Sequence, residues 1–164
     1  MIELREAEDM ELVPICLASP LLLWMAYSDL RYMRIPNWLV LGLVAIFLIS
    51  MPFLPRDSVV SRLFTASLVF VICGFAFAVG FFGGGDAKVL PALILLVPSE
   101  TLQFFGLVFS GSMMIGLGFV VAVQMVPQAR NSRWLGIRAQ GMFPMGVSIS
   151  IAGLVHPFAV SYAI

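Results

Sequence analysis

Six stretches of this chain contain no Asp, Glu, Lys or Arg, and their lengths set what it can fold into. They cover residues 12–28, 35–55, 63–85, 89–99, 101–129 and 139–164, which is 17, 21, 23, 11, 29 and 26 residues. A hydrocarbon core about 30 Å thick needs roughly 20 helical residues to cross. Five stretches are therefore long enough to span, and 89–99 is marginal. Only 11% of the residues are charged, 61% are hydrophobic and the mean hydropathy is +1.05, where a soluble domain carries roughly 25% charge. The expected fold is an all-α membrane protein, a bundle of six transmembrane helices forming a single domain over residues 1–164, with 1–11 as an acidic amino-terminal segment.

The charges also give an orientation. With the amino terminus outside, Arg31, Arg34, Lys88, Arg130, Arg133 and Arg138 fall inside while Arg5, Arg56 and Arg62 fall outside, which obeys the positive-inside rule. The outer segments then also carry Glu3, Glu6, Glu8, Asp9, Glu11, Asp57 and Glu100. A start rich in acids is unlike the basic region of a signal peptide, so 12–28 reads as a retained span. Pro52 and Pro55, Pro98 and Pro127 are expected to close the second, fourth and fifth spans. Nine Lys and Arg balance nine Asp and Glu, which leaves no electrostatic case for binding nucleic acid.

Other residue classes read as packing. Cys16 and Cys73 sit in apolar windows with no CxxC spacing, so neither a zinc site nor a disulfide framework is expected. Gly106, Gly111, Gly116 and Gly118, with Ser110 and Ser112, form a small-residue face suited to close helix packing. The ten Met and 14 Phe read as lipid contact and gap filling. His156, beside Pro157 on the outer side, reads as a hydrogen-bonded packing histidine.

Two aspartates stand at window edges, where acids are costly and invite a functional reading. Asp29 follows the first window and Asp86 the third. Two spans separate them, and an even number of crossings returns the chain to the same side, so the two carboxyl groups can meet at the cytoplasmic edge of one bundle. Such a pair can hydrolyse a peptide bond: an ionised carboxylate takes a proton from water while a neutral carboxyl donates to the carbonyl oxygen. Like charges held close split their pKa values and share one proton.

Gly83, Gly84 and Gly85 before Asp86 lower the cost of positive φ and allow another backbone to approach closely. An open, non-helical loop over residues 83–86 is expected, kept from lipid by protein or water. The structural alternatives are a tight turn whose Asp86 caps the next helix, and an interfacial Asp29 paired with Arg31 or Arg34 at little gain. Lys88, within one turn of Asp86, would favour ionisation of that acid.

At these residues the sequence resembles the type IV prepilin peptidases, aspartyl proteases of the GxGD class. Asp29-Leu30-Arg31 with Arg34-Ile35-Pro36-Asn37 is similar to the first aspartate motif of that family. Gly83-Gly84-Gly85-Asp86-Ala87-Lys88 is similar to the second, and Pro144-Met145-Gly146-Val147-Ser148-Ile149 to the signature of the final helix. The resemblance covers roughly residues 12–155, and three ordered motifs are far more specific than a GxGD alone. The cysteine-rich insertion of the longer, bifunctional members is absent, so the chain resembles the short, peptidase-only form that serves Flp-type pili or archaeal flagellin-like filaments. Pro91 departs from the family pattern and is expected to kink or shorten the fourth helix. The tripeptide Pro91-Ala92-Leu93, known from presenilin-type proteases, lies in the wrong helix to carry meaning here.

The resemblance implies a catalytic pair, Asp29 and Asp86, a catalytic loop of Gly83, Gly84, Gly85 and Lys88, and support from Arg31, Arg34, Pro36, Asn37, Pro144 and Gly146, with no metal and no cofactor. It implies a multi-pass protein of the bacterial or archaeal cytoplasmic membrane with its active site at the cytoplasmic face. The substrate it implies is a precursor with a short basic leader, a small residue at the cleavage point and a hydrophobic helix in lipid. The rival reading is a non-enzymatic subunit conducting protons or ions through the same two acids. A structural scaffold is the weaker third option. A transporter should show repeat-related broken helices in its two halves, and the sequence has none.

Overall fold

The computed structural model describes residues 2–125, 134–138 and 143–163. Arg130, Arg133 and Pro127, which carry part of the expected topology, lie outside the described residues, as do the side chains of residues 2–9. The described chain is helical. Helices α1 (Ile2–Leu17) and α2 (Ser19–Tyr32) are followed by α3 (Asn37–Ser50), α4 (Arg56–Ala78), α5 (Asp86–Ile94), α6 (Leu102–Gln124), a short α7 (Leu135–Arg138) and α8 (Met145–Ala163).

Among the described residues four segments are long and apolar enough to cross a membrane: Met10–Tyr32, Arg56–Ala78, Ser99–Gln124 and Met145–Tyr162. Two of the six expected spans are shorter than their charge-free windows. The window 35–55 yields only the 14 residues of α3 and a 3-10 turn at Met51–Phe53, because an extended Pro36 starts the helix late and Pro52 and Pro55 end it early. The window 89–99 yields α5, nine residues with Pro91 inside, which rises only about 14 Å. Both short helices still connect the two ends of the bundle: Asp86 opens α5 at the cavity it shares with Asp29, and the Leu96 carbonyl just beyond α5 accepts from Arg62 at the other end.

The junction of α1 and α2 shows how one span is built from two helices. Pro14 and Pro20 fall where a continuous helix would need N–H donors, yet the Ala18 amide still reaches the Pro14 carbonyl at 3.1 Å and the Leu22 amide reaches Ala18 at 3.0 Å. The acidic segment continues this same helix. Its described end, Glu11, meets the buried Arg62 of α4 at 3.1 Å.

The core lies between α2, α3, α5 and α8, where Leu22, Met25, Leu39, Leu43, Phe47, Val89, Leu93 and Ile149 are almost wholly enclosed. The outer faces of α4 and α6 remain apolar and exposed, including Phe64, Phe70, Phe75, Leu107, Met114 and Ile115. In a bilayer those faces meet lipid at no cost, and in water they would form a patch that no monomer sustains.

The small-residue face of α6 is used only in part. A Cβ on Gly116 would stand 2.6 Å from Ser148 Oγ of α8, and that hydroxyl donates to the Ser112 carbonyl at 3.2 Å. Gly106, Gly111 and Gly118 face open space instead. The face is thus narrower than the sequence spacing suggests, because one helix can present only a single ridge to α8.

The charges divide between the two ends of the bundle. Glu11 and Arg62 meet at the end where α4 begins, and Asp29, Arg31 and Arg34 gather at the other. Arg138 joins the second group, since α7 lies so close to α2 that a Cβ on Gly136 would stand 2.7 Å from the Leu30 carbonyl.

Candidate active site

Helix α2 stops within four residues of Asp29. Met33 takes a left-handed conformation (φ 50°, ψ 40°) and its amide bonds back to the Asp29 carbonyl. Ser28 Oγ donates to the Arg34 carbonyl at 2.8 Å, which fixes the direction in which the chain leaves. Pro36, at φ −65° and ψ 139°, then starts α3 at Asn37. The order Ser28-Asp29 to Pro36-Asn37 therefore encodes a helix stop, a reversal and a helix start, with a buried carboxylate at the stop.

Asp29 does not pair with Arg31 or Arg34. Among the described residues the ion pair is Arg62 with Glu11. Arg31 instead hydrogen-bonds the Tyr27 hydroxyl and lies over the rings of Tyr27 and Tyr32 at 5.6 and 5.3 Å. The partner of Asp29 comes from the far end of the sequence. The amide of Gly146, in the first turn of α8, donates to Asp29 Oδ2 at 2.8 Å, so the carboxyl occupies a helix N-terminus, where orphan N–H groups favour negative charge. Pro144 precedes that turn, and its carbonyl accepts the Val147 amide at 3.3 Å. Glycine is required at 146, where a Cβ would stand 2.9 Å from Asp29 Oδ2 and 2.9 Å from Ile35 Cδ1.

The second acid follows a break in helix. Helix α4 ends at Ala78, Gly80 turns the chain at φ 82°, and residues 83–85 run outside helix until Asp86 opens α5. None of the three glycines takes a positive φ; among the described glycines Gly80 does. Residues 83–85 are small because they are crowded. A Cβ on Gly83 would lie 3.0 Å from Asp86 Oδ2, one on Gly84 would lie 3.3 Å from Phe77, and one on Gly85 would lie 3.2 Å from Ile35 Cβ. Asp86 itself is helical, which shortens the expected loop by one residue.

The N-cap of α5 is Gly85, so no side-chain cap closes the start of the helix. The first amides of α5 are already satisfied by backbone, Ala87 to the Gly83 carbonyl at 3.1 Å and Val89 to the Gly85 carbonyl at 3.0 Å. Its Oδ1 is buried and has no hydrogen-bond partner among the described residues. Burial, and then the charge of Asp29, push the Asp86 carboxyl up to about 6.

Lys88 takes no part in that shift. Two residues along a helix is about 200° of rotation, so it faces a separate groove with Val40, Val44, Leu63, Phe70 and Pro91.

Asp29 and Asp86 line one cavity of about 750 Å³. Ser28, Arg34, Ile35, Pro36, Asn37 and residues 83–85 share its wall, with Trp24, Tyr32 and Trp38 at the rim. Of the residues singled out in the sequence, Arg34, Pro36, Asn37, Gly83, Gly84 and Gly85 thus gather around the two acids, and Gly146 reaches them from behind. Arg31, Lys88 and Pro144 do not line the cavity. Sequence reasoning missed Ser28, whose only signal was its place before Asp29, and the pair Trp24 and Trp38, whose rings lie 6.4 Å apart.

At the opposite end His156 Nε2 lies 3.0 Å from Thr101 Oγ1, and Phe104 and Phe105 pack on the ring. It is a fully buried packing residue. Arg62 was read only as a boundary charge, but it is equally buried and fully bonded, to Ser58, to the Leu96 carbonyl and to Glu11.

A multi-pass helical protein with two acids in one end-cavity invites comparison with known membrane enzymes. The model of the type IV leader peptidase family (Peptidase_A24) matches residues 16–123, well over half of the chain. The protein belongs to that family and is a membrane peptidase of the leader-removing kind. Comparison with curated proteins and with solved structures gives no significant match. The family match ends inside α6, so the Gly146 amide that holds Asp29 lies beyond it.

Proposed function

We propose that the protein is an aspartyl endopeptidase that removes the basic leader from type IV pilin-like precursors at the cytoplasmic face of the membrane. The observation that carries this reading is the single cavity lined by Asp29 and Asp86. The Asp86 carboxyl in it has a buried oxygen free of hydrogen bonds among the described residues, and so costly an arrangement is commonly kept for a function.

In this reading the two carboxyl groups share one proton. Asp29, whose Oδ2 already accepts an N–H, is the ionised member, and Asp86 holds the proton. Water placed between them gives a proton to Asp29 as its oxygen attacks the scissile carbonyl carbon, and Asp86 donates to the carbonyl oxygen. The tetrahedral intermediate collapses with cleavage of the C–N bond. The departing amine takes the proton from Asp29, and the carbonyl oxygen returns its proton to Asp86.

Residues 83–85 carry no side chain, so the extended backbone of a substrate can lie against them beside Asp86. The precursor's hydrophobic helix stays in lipid, and the aromatic rim of Trp24, Tyr32 and Trp38 sits where headgroups and hydrocarbon meet, as such residues commonly do. Family membership favours a peptidase over an ion-conducting subunit. Incubating the purified protein with a precursor that bears a leader tests the proposal: loss of the leader on a gel supports it, and an intact precursor under conditions where the protein remains folded contradicts it.

A further inference from the structure

Ile35 lies against both glycines that adjoin the two acids, Gly85 before Asp86 and Gly146, which holds Asp29. A Cβ on Gly85 would meet its Cβ at 3.2 Å, Cγ1 at 3.6 Å and Cδ1 at 3.7 Å, and a Cβ on Gly146 would meet its Cδ1 at 2.9 Å. The side chain thus rests on the residue that precedes Asp86 and, through Cδ1, on the residue whose amide holds Asp29. At both contacts the partner is glycine, so backbone closes directly on the isoleucine.

Its own position is fixed on either side. The Arg34 carbonyl accepts Ser28 Oγ at 2.8 Å, and Pro36 biases the residue before it toward extended backbone. A β-branched side chain is also stiff at χ1. In a close-packed interior, a change of one methyl group at such a point is passed to its neighbours.

We propose that Ile35 is a positioning residue, a spacer that sets the separation of the Asp29 and Asp86 carboxyl groups through its contacts with Gly146 and Gly85. The proposal rests on the peptidase reading above. Because Ile35 also lines the cavity, the competing role is a substrate contact, and the two roles differ in kinetics. A spacer governs the chemical step and so acts on kcat, whereas a substrate contact acts on KM.

The test is steady-state cleavage of a leader-bearing precursor by the full chain, with melting temperature as a control for folding. Ile35→Ala should lower kcat by roughly ten-fold or more with KM nearly unchanged, as expected for slightly misplaced catalytic groups, and Ile35→Val, which keeps the Cβ and Cγ1 contacts with Gly85 but loses Cδ1 against Gly146, should restore only part of the loss. Gly85→Ala alone should lower kcat, and in the Ile35→Ala background its further loss should be smaller, because the contacts with Cγ1 and Cδ1 at 3.6 and 3.7 Å are gone although Cβ at 3.2 Å remains. A higher KM at unchanged kcat, or strictly additive losses in the double variant, overturns the proposal. If Ile35→Ala does not fold, Ile35→Val and Gly85→Ala are compared in the same way, and additive losses again overturn it. Cleavage by the wild type that is lost in Asp86→Asn but unaffected at Ile35 refutes the spacer alone, whereas a wild type that cleaves no precursor refutes the peptidase reading and the spacer together.

Discussion

Across 117 residues of sequence, the backbone amide of Gly146 donates to Asp29 Oδ2 at 2.8 Å. This bond joins the end of α2 to the beginning of α8, and the glycine leaves no room for any larger residue. Gly146→Ala places a methyl group 2.9 Å from both that oxygen and Ile35 Cδ1. Such overpacking costs about 1–3 kcal/mol, and cleavage should fall further than stability does, because the displaced group is one of the two acids. Thermal melts in detergent alongside precursor cleavage measure both effects.

Asp86 gives the protein a pH-dependent stability of definite sign. Its carboxyl is held up to about 6 by burial and then by Asp29, above its ordinary unfolded value, so between these two values the folded state binds the extra proton. Stability from this group is fully present below the unfolded value and is lost as pH rises through about 6. Asp86→Asn removes the ionisation, so the variant should melt higher than the wild type at pH 8 and alike at pH 4. A wild type that gains stability relative to the variant as pH rises contradicts the assignment.

Gly85 does not need a positive φ, standing at φ −69° and ψ −52°, so a substitution there acts through crowding alone. Gly85→Val pushes branched carbon toward Ile35 and the cavity wall. It should reduce cleavage by an order of magnitude or more while lowering stability by only about 1–3 kcal/mol. Full activity in this variant would show that the approach to Asp86 is not confined by residues 83–85.

The buried pair at the far end behaves differently. Arg62 is wholly enclosed and its guanidinium binds Ser58, Leu96 and Glu11. Arg62→Met should destabilise by about 3–5 kcal/mol because it strands the Glu11 carboxylate, and adding Glu11→Gln should recover part of the loss. Equal stability of the single and double variants contradicts this account.

How legible these features were depended on the distance over which each was encoded. Charge-free windows are local, and they located every long apolar helix. They overestimated α3 and α5, because absence of charge does not state where a helix starts or stops: Pro36, Pro52 and Pro55 bound α3, and α5 opens at Asp86 and ends three residues after Pro91. The two aspartates were legible because each sits at a window edge beside a recognisable run. The hold of Gly146 on Asp29, the place of Ile35 between two glycines and the pairing of Glu11 with Arg62 join residues remote in sequence, and no spacing announces them. Lys88 lines a different groove from Asp86 although it is near in sequence, since neighbours two apart on a helix face different ways.

Orientation is testable at the Asp29 end through Arg138, which is exposed on α7 beside Leu30. In a chain with Cys16→Ala and Cys73→Ala, Arg138→Cys should resist an impermeant thiol reagent added outside intact cells, while Glu100→Cys should react. The reverse pattern would move both acids to the outer face and contradict cleavage at the cytoplasmic side.

The most direct measurement is precursor cleavage by Asp29→Asn and Asp86→Asn, each inserted and folded as judged by its melt. Each substitution nearly preserves side-chain volume and removes one member of the shared-proton pair. Both variants should leave the precursor intact while the wild type removes its leader. Near-normal turnover by either variant would contradict the assignment of the cavity as an aspartyl peptidase site.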